Sequence, residues 1–557
     1  MGLRSTLLLV PILLVAACGD DEEPSGDKAS QGGSGGSGAT SGSGGASGSG
    51  GRNMGGSSGT GMSGRGGGGT SGTQGGGGTS GVSGSGTGGT SGTGGGGGGV
   101  VGTACTQFFD ASASLDSIES AINSAAAGSV ICLERGASWD GSLSIDNGQA
   151  TASERVIVCA SDADDECSAG GGAPNPRIGG SGGGITFDAA SQGFVIANID
   201  IVCEGNCGNG TGINFADASH IRIEGGRVAG WSQGFACNSF TPQPTPCDDI
   251  EVGLPGNLTE LTGCTNGFFG WLSNSFIRLN AHDNGDGTVY THQWYLSSGP
   301  QNTPSSNVVF ENGIYTRSSV ENGRSYGTFL NLSGQNRDLV IRNNVFDEPA
   351  CGTYFVDCSS GGEDPEEFCD GIEIYGNTFK GDCPVVLNLQ STQRARIFNN
   401  LFLASGQLLV LNDQERAASD GWFFNNTIYC TGNCETAMVL EGNTHRAFNN
   451  LFHYQSGGGE IVEGGNGACA RFGASGVNFN NNFLYAPGGS PRLPTCGSGN
   501  STTFATEPGF ADEAGEDFHI TSSSAVAGFG TAENAPETDF DGATRPSPPS
   551  AGAFDAP

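Results

Sequence analysis

Lysine is almost missing from this chain: of 557 residues only Lys28 and Lys380 supply it, and Lys and Arg together number 22 against 57 Asp and Glu. The formal net charge of −35 leaves no basic surface for nucleic acid or an anionic membrane. It also opposes a polyanionic ligand unless local cations or a bound metal offset the repulsion. Long apolar runs are lacking too; the stretch from Leu7 to Val15 is too short to span a bilayer. Histidine pairs do not accompany the Cys-x3-Cys spacings, which argues against a zinc cluster.

What is present at the amino end is a signal peptide, with Arg4, an apolar core and then Val15-Ala-Ala-Cys18. These four residues resemble the lipobox of bacterial lipoproteins. The resemblance implies cleavage before Cys18, acylation of Cys18, and an exported protein held to the outer membrane or cell surface by lipid alone. Residues 19–103 are acidic at first and then almost wholly Gly, Ser and Thr, a composition that cannot form a core. A tether of that kind reaches about 50 Å.

The remaining chain is longer than most globular domains, yet one elongated repeat can absorb it. With Cys18 set aside, 17 of the 18 cysteines remain. In an exported domain they imply disulfides, with at least one thiol left over. Cys203 with Cys207 and Cys430 with Cys434 share one spacing and read as local loop staples.

A phrase recurs along the chain: an apolar residue, a pair of small or amide residues, then an apolar or aromatic one. Copies include Ile341-Arg-Asn-Asn-Val-Phe346, Ile374-Tyr-Gly-Asn-Thr-Phe379, Ile397-Phe-Asn-Asn-Leu-Phe402 and Ala447-Phe-Asn-Asn-Leu-Phe452. The second Asn is read at Asn312, Asn344, Asn377, Asn400, Asn426, Asn450 and Asn481, at intervals of 23 to 33 residues. The units are short β-rich runs between Gly, Asn, Asp and Ser, so they are rungs of strand and turn, not helical repeats. Asparagine tolerates the left-handed bend and can stack on its copy in the next rung. Ahead of the rungs, Leu115, Ile118, Ala121 and Ile122 fall at helical spacing, with Ser114 as N-cap and Gly128 as stop. That helix would cap the open end of the stack.

Helix, then Gly128-Ser-Val-Ile-Cys-Leu-Glu-Arg-Gly136, then Asn-marked rungs resemble the pectate-lyase-like right-handed parallel β-helix superfamily. The tail from Asp517 to Phe554 is similar to the closing segment of extracellular members. The resemblance implies an all-β fold with a single right-handed β-helix over 104–485, a closing segment over 486–557, a short capping helix, and a carbohydrate ligand. Activity does not follow from it, because such folds host lyases, hydrolases, epimerases and non-catalytic adhesins. The hydrolase motifs Asn-Thr-Asp and Gly-His-Gly are absent, and Arg545-Pro546 lacks the second arginine of a lyase Arg-x-Pro-x-x-Arg.

Two catalytic clusters and one contact surface remain as expectations. His292-Gln-Trp-Tyr295-Leu resembles a strand common in carbohydrate-acting β-helices; with Trp294 and Leu296 inward, Gln293 and Tyr295 would face out. His292 would then remove a C5 proton and Tyr295 protonate the glycosidic oxygen of a uronan, the chemistry of a polysaccharide lyase. Lys380, Arg394 and Arg396 would lie on adjacent rungs, with Ca2+ as a possible partner for the uronate; Asp283 and Asp286 offer oxygens. Phe310, Tyr375, Phe398, Phe424, Phe448 and Phe479 precede the repeat Asn by two positions. They would form an outward aromatic column on which sugars stack, with Gln293, Arg342 and Arg396 as polar contacts. The expected partner is a polysaccharide, bound by a monomer; the non-enzymatic alternative is a glycan-binding adhesin.

Overall fold

The computed structural model describes residues 99–557 apart from short segments, the longest being 238–245, 359–367 and 470–478. The signal peptide, Cys18 and nearly all of the tether lie outside the described residues. Each rung makes three strands. Arg396–Phe398 belongs to the first sheet, Leu401–Ala404 to the second and Gln407–Leu411 to the third, after which residues 412–421 return the chain to Trp422–Phe424 of the first sheet. Repetition gives parallel sheets of 16, 13 and 12 strands, the expected right-handed parallel β-helix.

The bend between first and second sheets is built from the Asn pair, and its two members differ. The first takes the left-handed conformation: φ is 55° at Asn343, 51° at Asn399, 51° at Asn425 and 56° at Asn449, with Gly376 in the same slot. The second is buried and bonds from rung to rung. Asn400 N–H and Nδ2 both donate to Asn426 Oδ1 at 3.0 Å, while Asn400 Nδ2 also reaches Ile374 O at 2.8 Å. The chain of links runs Gly313, Asn344, Asn377, Asn400, Asn426, Asn450, Asn482 and Asn500.

This corrects the repeat at both ends. Asn312 (φ 55°) and Asn481 (φ 51°) occupy the left-handed slot, and Gly313 and Asn482 the ladder slot. The spacing of the pair could not choose among Asn480, Asn481 and Asn482. The coil also runs past Tyr485, since Leu484 N–H bonds Ser501 Oγ and Ala486 N–H bonds Phe504 O, both at 2.8 Å.

Inward side chains stack in register. Phe346, Phe379 and Phe402 lie ring on ring at 4.9 and 5.1 Å, beside the column Ile341, Ile374, Ile397 and Phe423. Such stacks bury most of the apolar surface that drives folding.

At the amino end the helix Leu115–Ser124 has Ser114 as its cap, the serine oxygen accepting from Ser117 N–H. It covers the open edge of Leu143–Ile145, the first strand of the third sheet. Glu119 accepts from Ser144 N–H, Asn123 Nδ2 donates to Ser144 O, and Asn123 Oδ1 accepts from Asp146 N–H, which removes the free edge. The helix ends four residues before the expected Gly128, because Asn147 Nδ2 satisfies Ile122 O and Ala125 O.

The closing segment packs on the outside of the second sheet. Phe518 and Phe554 cover Leu401, Leu403 and Tyr429, while Ile520 and Val526 cover Leu451 and Phe483. Its backbone also reads the left-handed asparagines: Asn399 bonds Thr538 O, Asn449 bonds Thr531 O, and Arg545 reaches Asn399 Oδ1.

Eight disulfides are formed among the described residues, including the staples Cys203–Cys207 and Cys430–Cys434. Such density fits an oxidising, exported setting. Cys264 is the leftover thiol, and burial pushes its pKa up to about 12, so it is inert in the folded chain. No helix among the described residues is long and apolar enough to cross a membrane.

Candidate functional site

The sequence-derived site residues fall on all three faces of the coil. Lys380 projects from the second sheet and is taken by Glu516 of the closing segment, 2.7 Å away. Arg394 sits at the entrance to the first sheet on Asp370, and Arg396 on that sheet is held by Asp420. The three cations therefore do not meet in one cluster: sequence proximity put them on neighbouring rungs, but the left-handed bend sends Lys380 to another face. Asp283 is likewise consumed, since the Arg317 guanidinium holds its carboxyl down to about 2.

The aromatic column exists on the first sheet only in part. Phe310 and Phe479 point into the core, because their rungs are offset by one residue as the asparagine register requires. Tyr375, Phe398, Phe424 and Phe448 do face outward, stacked at 4.8, 5.0 and 4.9 Å with planes within 11° to 19°. Rings stacked at the rung spacing cover one another's faces and turn only edges outward, so Phe398 and Phe424 offer no plane to a sugar. Trp422 is similarly closed, with Arg396 at 4.2 Å and Arg446 at 4.4 Å from its ring. Arg342 is bound to Glu311 and to Tyr375 Oη. The first sheet's outer face is thus largely self-satisfied.

The third sheet is different. Its strand Trp294–Leu296 buries Trp294 and Leu296 and leaves Tyr295 half-buried, facing out as expected. Gln293 does not face out: it is fully buried and donates to Thr316 O, because the strand's alternation begins only after it. In register with Tyr295 run Ala236, Phe269, then Tyr295, Asn331, Asp357 and Asn388. Phe269 is 36% exposed and stacks on Tyr295 at 5.2 Å. The small Ala236 on the preceding rung leaves the other face of Phe269 without a ring neighbour in the column.

His292 joins this column at the bend. Its ring lies 5.6 Å from that of Tyr295, and its backbone N–H is fixed by Asn266 Oδ1 at 3.0 Å. Thr328 N–H donates to Nδ1 at 3.2 Å, which places the ring proton on Nε2; the Asn331 atom 3.2 Å from Nε2 is Nδ2, itself a donor, so the two bond only with the carboxamide turned to present its oxygen. The ring is only 5% exposed, and burial pushes its pKa down to about 4, so it is neutral at neutral pH. Asp357 accepts from Asn388 Nδ2 at 2.8 Å. The corner thus gathers a phenol, a neutral imidazole donor and a carboxamide beside an exposed ring.

No cluster of carboxylates for calcium is brought together among the described residues. Calcium takes six to eight oxygens, commonly from several carboxylates. The grouping of three His, Cys, Asp or Glu ligand atoms found among the described residues is Cys132, Cys159 and Cys167, and all three are in disulfides.

Phe269, Asn331, Asp357 and Asn388 were not found from the sequence. Asn331, Asp357 and Asn388 are each the middle residue of an apolar-x-apolar triplet, such as Leu330-Asn-Leu332 and Leu387-Asn-Leu389, whereas Phe269 lies between Phe268 and Gly270. That signal locates them only once the third sheet's register is known.

No family model matches the sequence, and no curated protein matches it. Solved structures do. An alginate lyase from Paenibacillus sp. str. FPU-7 is 16% identical with a TM-score of 0.36, over 54% of this chain and 99% of that one. A mannuronic acid specific polysaccharide family 6 lyase from human gut microbiota is 11% identical with a TM-score of 0.36, over 70% and 82%. A bacteriophage tailspike protein, solved with a pentasaccharide, is 12% identical with a TM-score of 0.33, over 65% and 77%. Independently of these likenesses, the register of its own strands makes this chain a parallel β-helix.

Proposed function

We propose that the outer face of the third sheet binds a polysaccharide lengthwise and cleaves it by β-elimination at the corner of His292, Tyr295 and Asn331. The observation that carries this reading is the meeting of an exposed ring, a phenol, a neutral imidazole and a carboxamide on one outward column. With Nδ1 occupied and Nε2 protonated, His292 suits hydrogen-bond donation to the uronate carboxyl better than proton abstraction. Asn331 would share that task, since neutral donors aimed at developing charge stabilise it in a water-poor site. Tyr295 then takes the C5 proton as phenolate, the C4–O bond breaks, and the phenol returns the proton to the leaving oxygen.

The test is the full chain incubated with alginate, pectin, chondroitin and heparin-like polymers, watching for the ultraviolet absorbance of unsaturated ends. Phe269→Ala should weaken polymer retention in native gels by about tenfold, in line with the loss of one stacking surface. Retention without new absorbance would leave a glycan-binding protein, the reading favoured by both ring nitrogens of His292 having partners.

The same reading places the domain outside the cell, acylated at Cys18 and carried on the 19–103 tether. Labelling with an alkyne fatty acid should mark the wild-type chain and be lost in Cys18→Ala; equal labelling of both would refute the anchor.

A further inference from the structure

On the first sheet one cation is left over. Of the described Lys and Arg side chains, all but Arg337 and Arg446 stand against a carboxylate, and Arg337 lies over the Phe368 ring. Arg446 opens the strand Arg446–Phe448 and is in register with Trp422, Arg396 and Glu373 on the rungs before it. It is half-buried, lies over the Trp422 ring at 4.4 Å and makes no hydrogen bond to another described residue. The nearby carboxylate is already spent: Asp420 Oδ2 takes Arg396 at 2.8 Å and Oδ1 takes Trp422 Nε1 at 2.7 Å.

The chain around Arg446 departs from the acidity of the whole. Between residues 442 and 506 the sequence holds Glu460 and Glu463 against Arg446, Arg471 and Arg492, and Glu460 is paired with Arg492 at 2.9 Å. The carboxyl end of the coil is thus a local exception to the repulsion that a net charge of −35 presents to an anion. A guanidinium held over a ring has less freedom to lose on binding, and its fork of N–H groups matches a carboxylate or a sulfate ester. The widely spaced acid groups of a polysaccharide suit a surface with one unspent cation, whereas the dense phosphates of nucleic acid would meet the acidic remainder of the chain.

We infer that Arg446, seated on Trp422, is an anchoring subsite for a carboxylate or sulfate of an acidic polysaccharide, on a different sheet from the corner of His292 and Tyr295. The inference rests on the reading that the coil takes a polysaccharide, and not on cleavage. The subsite holds polymer against the first sheet and performs no chemistry.

Trp422 supplies the readout. The other four of the five tryptophans, Trp139, Trp231, Trp271 and Trp294, are buried, so a ligand on Arg446 should alter the emission of Trp422. The full chain is to be titrated at low salt with heparin, polygalacturonate and neutral dextran. The two acidic polymers should change the emission, dextran should not, and Trp422→Phe should erase the change. Arg446→Gln should weaken the apparent affinity at least tenfold and Arg446→Lys by less, because the charge stays while the fork is lost. Rising NaCl should suppress the wild-type response, a measurement that needs no variant. No response to either acidic polymer, an affinity unmoved by Arg446→Gln, an equal response to dextran, or a response to anionic lipid vesicles but not to polysaccharide overturns the subsite. Polymer retained through Phe269 without a Trp422 response removes the Arg446 subsite alone. A Trp422 response without new absorbance on any polymer sinks β-elimination and leaves the subsite standing.

Discussion

Asn426→Leu is expected to destabilise the coil by on the order of 5 kcal/mol, enough to leave much of the chain unfolded. The residue is fully buried and serves three partners at once. Its Oδ1 accepts from Asn400 N–H and Asn400 Nδ2, and its Nδ2 donates to Ile397 O at 2.9 Å and to Asn450 Oδ1 at 3.1 Å. Leucine is close in volume, so the cost is electrostatic: Asn400 N–H and Ile397 O lose their buried side-chain partner, at about 1–3 kcal/mol each, while Asn400 Nδ2 keeps Ile374 O. Asn343→Gly is the contrasting change. That residue needs only a left-handed backbone, which Gly376 already supplies on the next rung, and its stability should stay within about 1 kcal/mol of wild type. Urea unfolding of the two variants decides the matter. A midpoint for Asn426→Leu near that of the wild-type chain would show that the ladder is decorative.

Tyr295→Phe should abolish new ultraviolet absorbance, with kcat down by about 10²–10⁴ and polymer retention within a few fold of wild type, because only the proton-handling oxygen is removed. The pH profile gives a second reading. If phenolate is the base, the rate climbs as pH rises. No limb should appear near 6.5, since burial holds the His292 imidazole down to about 4 and it stays neutral across the assay range. Undiminished cleavage by Tyr295→Phe would remove the proposed chemistry from this corner, and undiminished cleavage by His292→Ala would remove the imidazole from it.

The capping helix and the rungs were legible because their signals are local. Ser114 marks a helix start within one turn, and an Asn pair marks a bend by its own backbone preference. The contact surface was not legible, for two physical reasons. Lys380 stood out by rarity, but its partner Glu516 is 136 residues away in a segment that packs on another face. The third-sheet column is separated by loops of varying length, so Phe269, Tyr295, Asn331 and Asp357 share no period in the sequence although they share a line in space. The outward rings of the first sheet misled in the opposite way. Alternation put Phe398 and Phe424 outside correctly, but only the stack itself reveals that each ring's face is already covered by the next.

The asparagine links also have a direction. At every step the N–H of one rung donates to the Oδ1 of the following rung, from Gly313 toward Asn500. A coil cut across this line would therefore show acceptors on one cut face and donors on the other, a head and a tail that complement each other. Identical units with such ends add without limit into filaments, since the contact does not close on itself. The capping helix covers the third sheet's first strand at the amino end, and the turn carrying Asn500 accepts the last N–H of the line. Within one chain the same complementarity lets each rung seat the next, so the repeat is extended by its own hydrogen bonds.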